Sequence, residues 1–128
     1  MIVVDASVIV GALVGVEQAS ILARIGAEEL VAPDILDVET LSALRGLWLR
    51  RTLTDAQLHT AVDDLIQLEV DRRPTTVLVP AILLHRFNLT AYDASYVALA
   101  EALDCPLITL DARMGNAPGI RCAVEILS

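Results

Sequence analysis

The sequence contains no lysine, so its nine cationic side chains are all arginines. Its 17 acidic residues outnumber them and give the chain of 128 residues a formal net charge of −8. A chain this acidic is a poor partner for nucleic acid, because phosphate contacts need a basic surface. The exclusion fails in one case: clustered acidic side chains can hold divalent cations, and the cations then meet the phosphate.

Cysteine and long apolar runs are also scarce. Cys105 and Cys122 are the only cysteines, which is too few for a disulfide framework and predicts buried thiols in a cytosolic protein. The longest uncharged runs, Ala6–Val16 and Pro74–Leu84, each have about half the length of a membrane span. The first residues lack the basic segment of a signal peptide. We expect a cytoplasmic protein with no membrane partner, folded as one domain over residues 1–128.

Short apolar segments alternate with longer helical patterns, which predicts an α/β fold with a mostly parallel sheet. Ser7 and Asp34 are predicted helix N-caps, and Thr54 with Gln57 predicts a capping box. The predicted strands are Ile2–Val4, Leu30–Ala32, Glu69–Asp71, Leu107–Leu110 and Cys122–Ile126. The predicted helices are Val8–Leu13, Glu17–Ile25, Ile35–Arg51, Thr54–Leu68, Thr76–Phe87 and Ala91–Leu103. Pro80 implies a late start or a kink in the helix Thr76–Phe87, and Ala112–Asn116 is predicted as a short turn or helix.

Four acidic residues occupy comparable places in this plan. Asp5 and Asp111 directly follow predicted strands. Asp93 lies in the first turn of one predicted helix, and Glu39 lies just beyond the first turn of another. The carboxyl ends of parallel strands and the starts of the following helices share one edge of an open sheet, where ligands bind. We therefore expect the four carboxylates to face one crevice, although each alone would be an ordinary capping, turn or surface residue.

Four ionised carboxylates in one crevice need a counter-charge. Two of them about 5 Å apart repel by roughly 3 kcal/mol at an effective dielectric constant near 20, and the chain has no lysine to neutralise them. The expected cation is Mg²⁺, for which Mn²⁺ can substitute, since hard ions favour carboxylate oxygen and no His or Cys flanks the acids. Such an ion polarises a phosphoryl oxygen and lowers the pKa of a bound water. The sequence therefore predicts phosphodiester hydrolysis by a metal-activated water.

The segments that contain these acids resemble the PIN-domain ribonucleases, most closely the VapC toxins of bacterial toxin–antitoxin pairs. The resemblance extends over essentially the whole chain. The matching segments are Ile2–Ser7, Asp37–Leu44, Asn88–Glu101 with its Thr-Ala-Tyr-Asp-Ala core, and Pro106–Arg113 with its Leu-Ile-Thr-Leu-Asp core.

This resemblance implies a Rossmann-like fold, in which helices flank a central sheet, and a Mg²⁺- or Mn²⁺-dependent endoribonuclease toxin that cleaves tRNA or mRNA. It also implies a homodimer and a cognate antitoxin, whose segment covers a hydrophobic groove and often sends an arginine into the acidic site. Ser7 and Thr109 match polar positions where a hydroxyl could orient a metal-bound water. The acidic positions of the family, catalytic and metal-binding, correspond to Asp5, Glu39, Asp93 and Asp111.

Several other residues have weaker signals. Arg45 and Arg86 are candidate contacts to RNA phosphates, while His59 and His85 have no partner at metal-ligand spacing and are predicted on helix surfaces. The long helix carries two apolar stripes, of which one can face the sheet and the other suits a partner. The stripes are Leu41-Leu44-Trp48 and Leu36-Ala43-Leu47.

Two other functions stay open. A catalytically inactive PIN-like module that binds RNA or protein would share the fold but would not bind metal. A phosphotransfer domain that works through an aspartyl phosphate also uses strand-end aspartates. It normally needs a lysine, which this chain lacks, and its phosphatase branch needs an aspartate where this chain has Ser7.

Overall fold

Five short strands and seven helices alternate along the chain in the computed structural model, which describes residues 1–128. The strands are β1 (Ile2–Val4), β2 (Leu30–Pro33), β3 (Val70–Arg73), β4 (Leu107–Thr109) and β5 (Val124–Ile126). The helices are α1 (Ala6–Val14), α2 (Gln18–Ile25), α3 (Leu36–Leu49), α4 (Asp55–Gln67), α5 (Val79–Leu84), α6 (Ala91–Leu103) and α7 (Ala112–Asn116), and a 3₁₀ turn, Thr76–Leu78, precedes α5.

All strand pairings are parallel, and the order across the sheet is β3-β2-β1-β4-β5. Val3 of β1 pairs with Val31 of β2 on one side and with Leu107 of β4 on the other. The strand order therefore reverses between β1 and β4. In sheets of this kind, ligands bind outside the carboxyl ends of the strands at such a switch point. The predicted Rossmann-like α/β fold is confirmed.

The central strands and one helix form the core. Val3, Val4 and Ile108 have no exposed surface, as expected for a parallel sheet that is covered on both faces. Helix α6 is buried over the seven consecutive residues Ala94–Ala100 and packs against β1, β2 and β4. A helix that is apolar on all sides belongs in the interior. This packing fixes the start of α6 relative to the strand ends.

The predicted caps have different outcomes. Thr54 Oγ1 accepts a hydrogen bond from the Gln57 N–H at 3.1 Å, and Gln57 Oε1 accepts one from the Thr54 N–H at 2.9 Å, so the capping box is confirmed. The prediction for Asp34 is wrong, since α3 begins without a side-chain cap. Asp34 Oδ1 instead accepts hydrogen bonds from the backbone and hydroxyl of Thr75, which follows β3.

The segment before α6 also differs from prediction. The late start that Pro80 predicts is confirmed: a 3₁₀ turn comes first, and α5 begins with Pro80 in its first turn, where the missing N–H costs no helical hydrogen bond. The helix ends at Leu84 and does not reach Phe87. His85, predicted on the surface, is buried, with Nε2 at 2.8 Å from Glu101 Oε1. None of the helices combines the length and the apolar composition that crossing a membrane requires.

Candidate active site

Asp5 directly follows β1 at the switch point of the sheet and is only 8% exposed. The Ser7 hydroxyl donates to Asp5 Oδ1 at 2.5 Å, and the Val8 N–H donates to the same oxygen at 3.2 Å. The Thr109 hydroxyl donates to Oδ2. Asp5 is thus the N-cap of α1, so the prediction that Ser7 caps this helix is wrong.

The hydroxyls of Ser7 and Thr109 join the ends of β1 and β4. Ser7 Oγ accepts a hydrogen bond from the Leu110 N–H, and Thr109 Oγ1 accepts one from the Asp111 N–H, each at 3.0 Å. Each hydroxyl therefore donates to Asp5 and accepts from the segment that follows β4. This network fixes the Asp5 carboxylate against the backbone of Asp111. That these hydroxyls orient a water stays a prediction.

Glu39 lies in the first turn of α3, and a residue of α6 donates a hydrogen bond to its side chain. The Tyr96 hydroxyl donates to Glu39 Oε1 at 2.6 Å, and Tyr96 is itself buried. Burial and the neighbouring Glu39 carboxylate raise the pKa of Tyr96, so the phenol keeps its proton and remains a donor. The sequence-based prediction missed Tyr96. The sequence feature that could have identified Tyr96 is its spacing of three residues from Asp93, because this spacing puts both side chains on one side of a helix.

The other two acids also lie at helix starts. The Asp93 N–H donates to Thr90 Oγ1, the cap of α6, at 3.1 Å. Asp111 is the N-cap of α7 and accepts from the Arg113 backbone N–H. The Arg113 guanidinium donates to both Asp111 carboxylate oxygens, at 3.1 and 2.9 Å, although its side chain is 88% exposed. Arg113 is a second contact residue that the sequence-based prediction missed.

The electrostatics show that the four acids interact. Burial is the largest cause of raised pKa values at Asp5, Glu39 and Asp93. The Asp93 charge further raises the pKa of Asp5, while Asp93 and Asp5 together raise that of Glu39. The Asp111 charge raises the pKa of Asp93, whereas hydrogen bonds from Arg113 lower the pKa of Asp111 itself. The structure thus brings all four predicted acids to one edge of the sheet, as mutually repelling neighbours.

Whether this edge suits a metal ion depends on its donor atoms. No three Asp, Glu, His or Cys side chains converge closely enough to enclose an ion. Mg²⁺ does not need such a cage, because it keeps several waters and usually takes one or two protein carboxylates. The available donors are carboxylate oxygens under mutual repulsion. They fit a hard divalent cation and do not fit structural zinc, which takes a tetrahedral nitrogen and sulfur set.

The two arginines predicted to contact phosphate lie on the surface. Arg45 is exposed on α3. The Arg86 guanidinium lies 4.4 Å from the centre of the Phe87 ring and donates to the Leu83 carbonyl. Neither side chain forms an ion pair with a carboxylate. Their contact with RNA stays a prediction.

The fold and its acidic edge match a known domain family. The family model for the PIN domain matches residues 2–120. Ribonuclease VapC9 of Mycobacterium tuberculosis (strain H37Rv) is 43% identical over 127 residues, which cover 99% of this chain and 98% of that relative. The chain therefore belongs to the PIN domain family and, within it, to the VapC ribonucleases, as the sequence predicts. Membership makes it an enzyme of the nuclease class.

Solved structures share the fold at low sequence identity. The crystal structure of VapC20 from Mycobacterium tuberculosis, described as a sarcin-ricin loop cleaving toxin, superposes with a TM-score of 0.71 at 12% identity, over 94% of this chain and 97% of that one. VapBC2 from Rickettsia felis, bound to a DNA fragment from its promoter, gives a TM-score of 0.67 at 12% identity, over 100% of both chains. At these identities the likeness concerns the fold alone.

Proposed function

We propose that this chain is a Mg²⁺- or Mn²⁺-dependent endoribonuclease toxin that cleaves phosphodiester bonds in tRNA or mRNA. One observation carries the proposal: burial raises the pKa of both Asp5 and Glu39, which come from separate segments of the chain, and the charge of Asp93 raises both pKa values further. The nearby cation is the exposed Arg113 guanidinium, which is engaged with Asp111. Such repulsion is unfavourable in the metal-free protein, and a divalent cation relieves it.

In this proposal the four acids hold the cation, and the chain's other residues position them. A bound divalent cation supplies polarisation of the phosphoryl group and a lowered pKa for water. Ser7 and Thr109 hold the two oxygens of Asp5 from opposite sides. Tyr96 holds Glu39 Oε1 and leaves Oε2 without a hydrogen bond to the protein.

Asparagine substitutions test the proposal directly. Asp5→Asn and Asp93→Asn should each abolish cleavage of RNA with Mg²⁺ or Mn²⁺ and abolish growth arrest on induced expression. Asp63→Asn is the matched control, since Asp63 is exposed on α4 and the charge change is the same. Circular dichroism checks the fold, and mapping of RNA 5′ ends after induction identifies the cut sites. Full activity in either active-site variant would refute the assignment.

A cognate antitoxin is the proposed protein partner, and the VapBC2 complex supports it. Neither predicted stripe of α3 lies wholly in the core, because Leu41 of one stripe is 48% exposed and Ala43 of the other stripe is also exposed. Val38 of α3 and Ile66 of α4 are each 72% exposed beside a cavity of about 410 Å³ between the two helices. This groove suits the apolar face of an antitoxin helix. Ile66→Asp should weaken co-purification with the antitoxin and leave RNA cleavage intact.

A homodimer is proposed on a different surface. Val77, Leu84 and Phe87, on and around α5, are 76%, 70% and 80% exposed. Large apolar side chains exposed together mark an interaction surface. Light scattering that shows a stable monomer at micromolar concentration would contradict the dimer.

The second candidate is an inactive PIN-like module. Two observations favour it: no three acids enclose an ion, and Arg113 engages both oxygens of Asp111. Calorimetric titration with Mn²⁺ separates the candidates, because the inactive module would bind no metal.

A further inference from the structure

A cavity of about 620 Å³ lies beside the acidic edge, between α1, α3 and the start of α6. Glu39 belongs both to the acidic site and to this cavity: the charges of Asp93 and Asp5 act on its carboxylate, and it also lines the cavity. The volume lies in the range of small-molecule sites. Apolar walls come from Val10, Val38 and Leu47. The cavity therefore adjoins the acidic site at Glu39 and differs from it chemically.

Tyr92 supplies an aromatic wall of this cavity. It precedes Asp93 in α6, is 62% exposed, and its hydroxyl makes no hydrogen bond within the protein. An exposed ring without an internal partner is available for stacking on a planar ligand. The chain has only four aromatic residues. Two of the others donate hydrogen bonds within the protein, Trp48 to Asp55 and Tyr96 to Glu39, and the exposed Phe87 ring lies against the Arg86 guanidinium.

Arg50 supplies the positive charge of the cavity. It lies at the end of α3 and forms no ion pair, whereas five other arginines of the chain do. A Cβ atom on Gly46 would lie 3.4 Å from Arg50 Nη1. The missing side chain at Gly46 therefore leaves room for the guanidinium on this wall. The guanidinium is available for an anion.

We propose that this cavity binds the nucleotide next to the scissile phosphate, with its base stacked on Tyr92 and a phosphate on Arg50. The proposal rests on the proposed ribonuclease function, which puts the scissile phosphate at the acids that Glu39 joins to this cavity. An aromatic face with an arginine is the combination that holds single-stranded nucleic acid. The net charge of −8 repels RNA phosphates, so an arginine without an ion pair provides a local attraction for them beside the cleavage site.

The test is cleavage of a single-stranded RNA pool of random sequence with Mn²⁺, with sequencing of the new 5′ ends. Tyr92→Leu should lower kcat/KM by about 5- to 150-fold, which corresponds to the loss of one stacked base. It should also flatten the base preference at one position beside the cut. Tyr92→Phe keeps the ring and should restore both. Because Tyr92 is exposed, none of these changes removes core packing.

Arg50 is tested by its salt dependence. Arg50→Gln should lower kcat/KM and reduce the slope of log kcat/KM against log salt concentration by about 0.7, as expected for one phosphate of a single strand. Arg51→Gln is the matched control, since Arg51 is the exposed next residue and does not line the cavity. It should leave the rate and the cut-site profile unchanged.

The outcomes separate this proposal from the function on which it rests. A wild-type chain that cleaves no RNA with Mg²⁺ or Mn²⁺ refutes the ribonuclease function and the nucleotide site together. A wild-type chain that cleaves while Tyr92→Leu and Arg50→Gln retain its rate and profile refutes only the nucleotide site. If these two variants instead lose inhibition by the antitoxin with cleavage unchanged, the cavity binds protein and the nucleotide assignment is wrong.

Discussion

Replacing Asp93 by asparagine should stabilise the metal-free protein and at the same time abolish RNA cleavage. The pKa of Asp93 is raised first by burial and then by the Asp111 charge, so its ionised form is unfavourable in the folded protein. Asparagine keeps the size and polarity of the side chain and removes that charge. The substitution also leaves the backbone hydrogen bond from residue 93 to Thr90 intact.

The expected gain in the free energy of unfolding is on the order of 1 kcal/mol. Two unit charges about 6–8 Å apart repel by roughly 2–3 kcal/mol at an effective dielectric constant near 20, and solvent screening of a half-buried group reduces this. Against it stands the lost attraction between an acid and the start of α6, about 0.3–1 kcal/mol. The lost attraction to Arg113 acts in the same direction. For a chain of 128 residues, 1 kcal/mol corresponds to about 3–5 °C in Tm.

Thermal unfolding in EDTA across a pH series measures this gain. The pKa of Asp93 in the folded protein lies above its ordinary value of 3.8. The folded state of the wild type is therefore favoured while the acid is protonated, and it loses that advantage as the pH rises through the raised pKa. The difference between variant and wild type should be absent below about pH 4 and complete at neutral pH.

A control substitution at an exposed site and the addition of Mg²⁺ test this prediction further. Asp63→Asn reduces the net charge of −8 by the same amount at an exposed site on α4 and should show no such pH-dependent gain. Saturating Mg²⁺ should reverse the order of stability, because the wild type gains RT ln(1 + [L]/Kd) from binding. An Asp93→Asn protein that is less stable than the wild type in EDTA at neutral pH would refute the claim of mutual repulsion.

Three other substitutions probe contacts of the site and the fold. Tyr96→Phe removes the hydrogen bond to Glu39 and should therefore raise the pKa of Glu39. The acidic limb of the pH–rate profile should then move to higher pH, and an unchanged limb would contradict this prediction. Arg113→Ala frees Asp111 and should tighten Mg²⁺ binding in calorimetry by about two- to fivefold, whereas weaker binding would make Arg113 part of the metal site. Thr54→Ala should lower the free energy of unfolding, measured in urea, by about 1 kcal/mol through loss of the capping box. An unchanged urea midpoint would show that the capping box does not stabilise the protein.

Local patterns predicted the elements of the sheet, and their order predicted where the acids meet. Parallel topology puts every strand end at one edge, so the positions of Asp5 and Asp111 required no knowledge of distant contacts. The cap of α1 did require it. Ser7 and Asp5 are both good N-cap residue types, and the choice between them depends on the Thr109 hydroxyl, which lies 104 residues away in the sequence and donates to Asp5.

Two of the residues that the sequence did not reveal also depend on distant partners. His85 has an ordinary surface spacing, and its burial depends on Glu101, which lies 16 residues away on α6. Tyr96 contacts Glu39 across 57 positions of the chain. No hydropathy or capping pattern contains such a pair, because each side chain on its own fits a generic core or helix position.

Four acids lie at this edge of the sheet without a lysine because each of them occupies the start of a helix. Asp5 and Asp111 are helix N-caps, while Glu39 and Asp93 lie in first turns. A carboxylate at a helix start is stabilised by free backbone N–H groups and by the helix dipole. Each acid is therefore favourable for the start of its own helix, whereas burial and the charges of neighbouring acids oppose ionisation at Asp5, Glu39 and Asp93. Removing one charge should therefore reduce the repulsion and leave the helix caps intact. A bound divalent cation would reduce the same repulsion and keep all four acids.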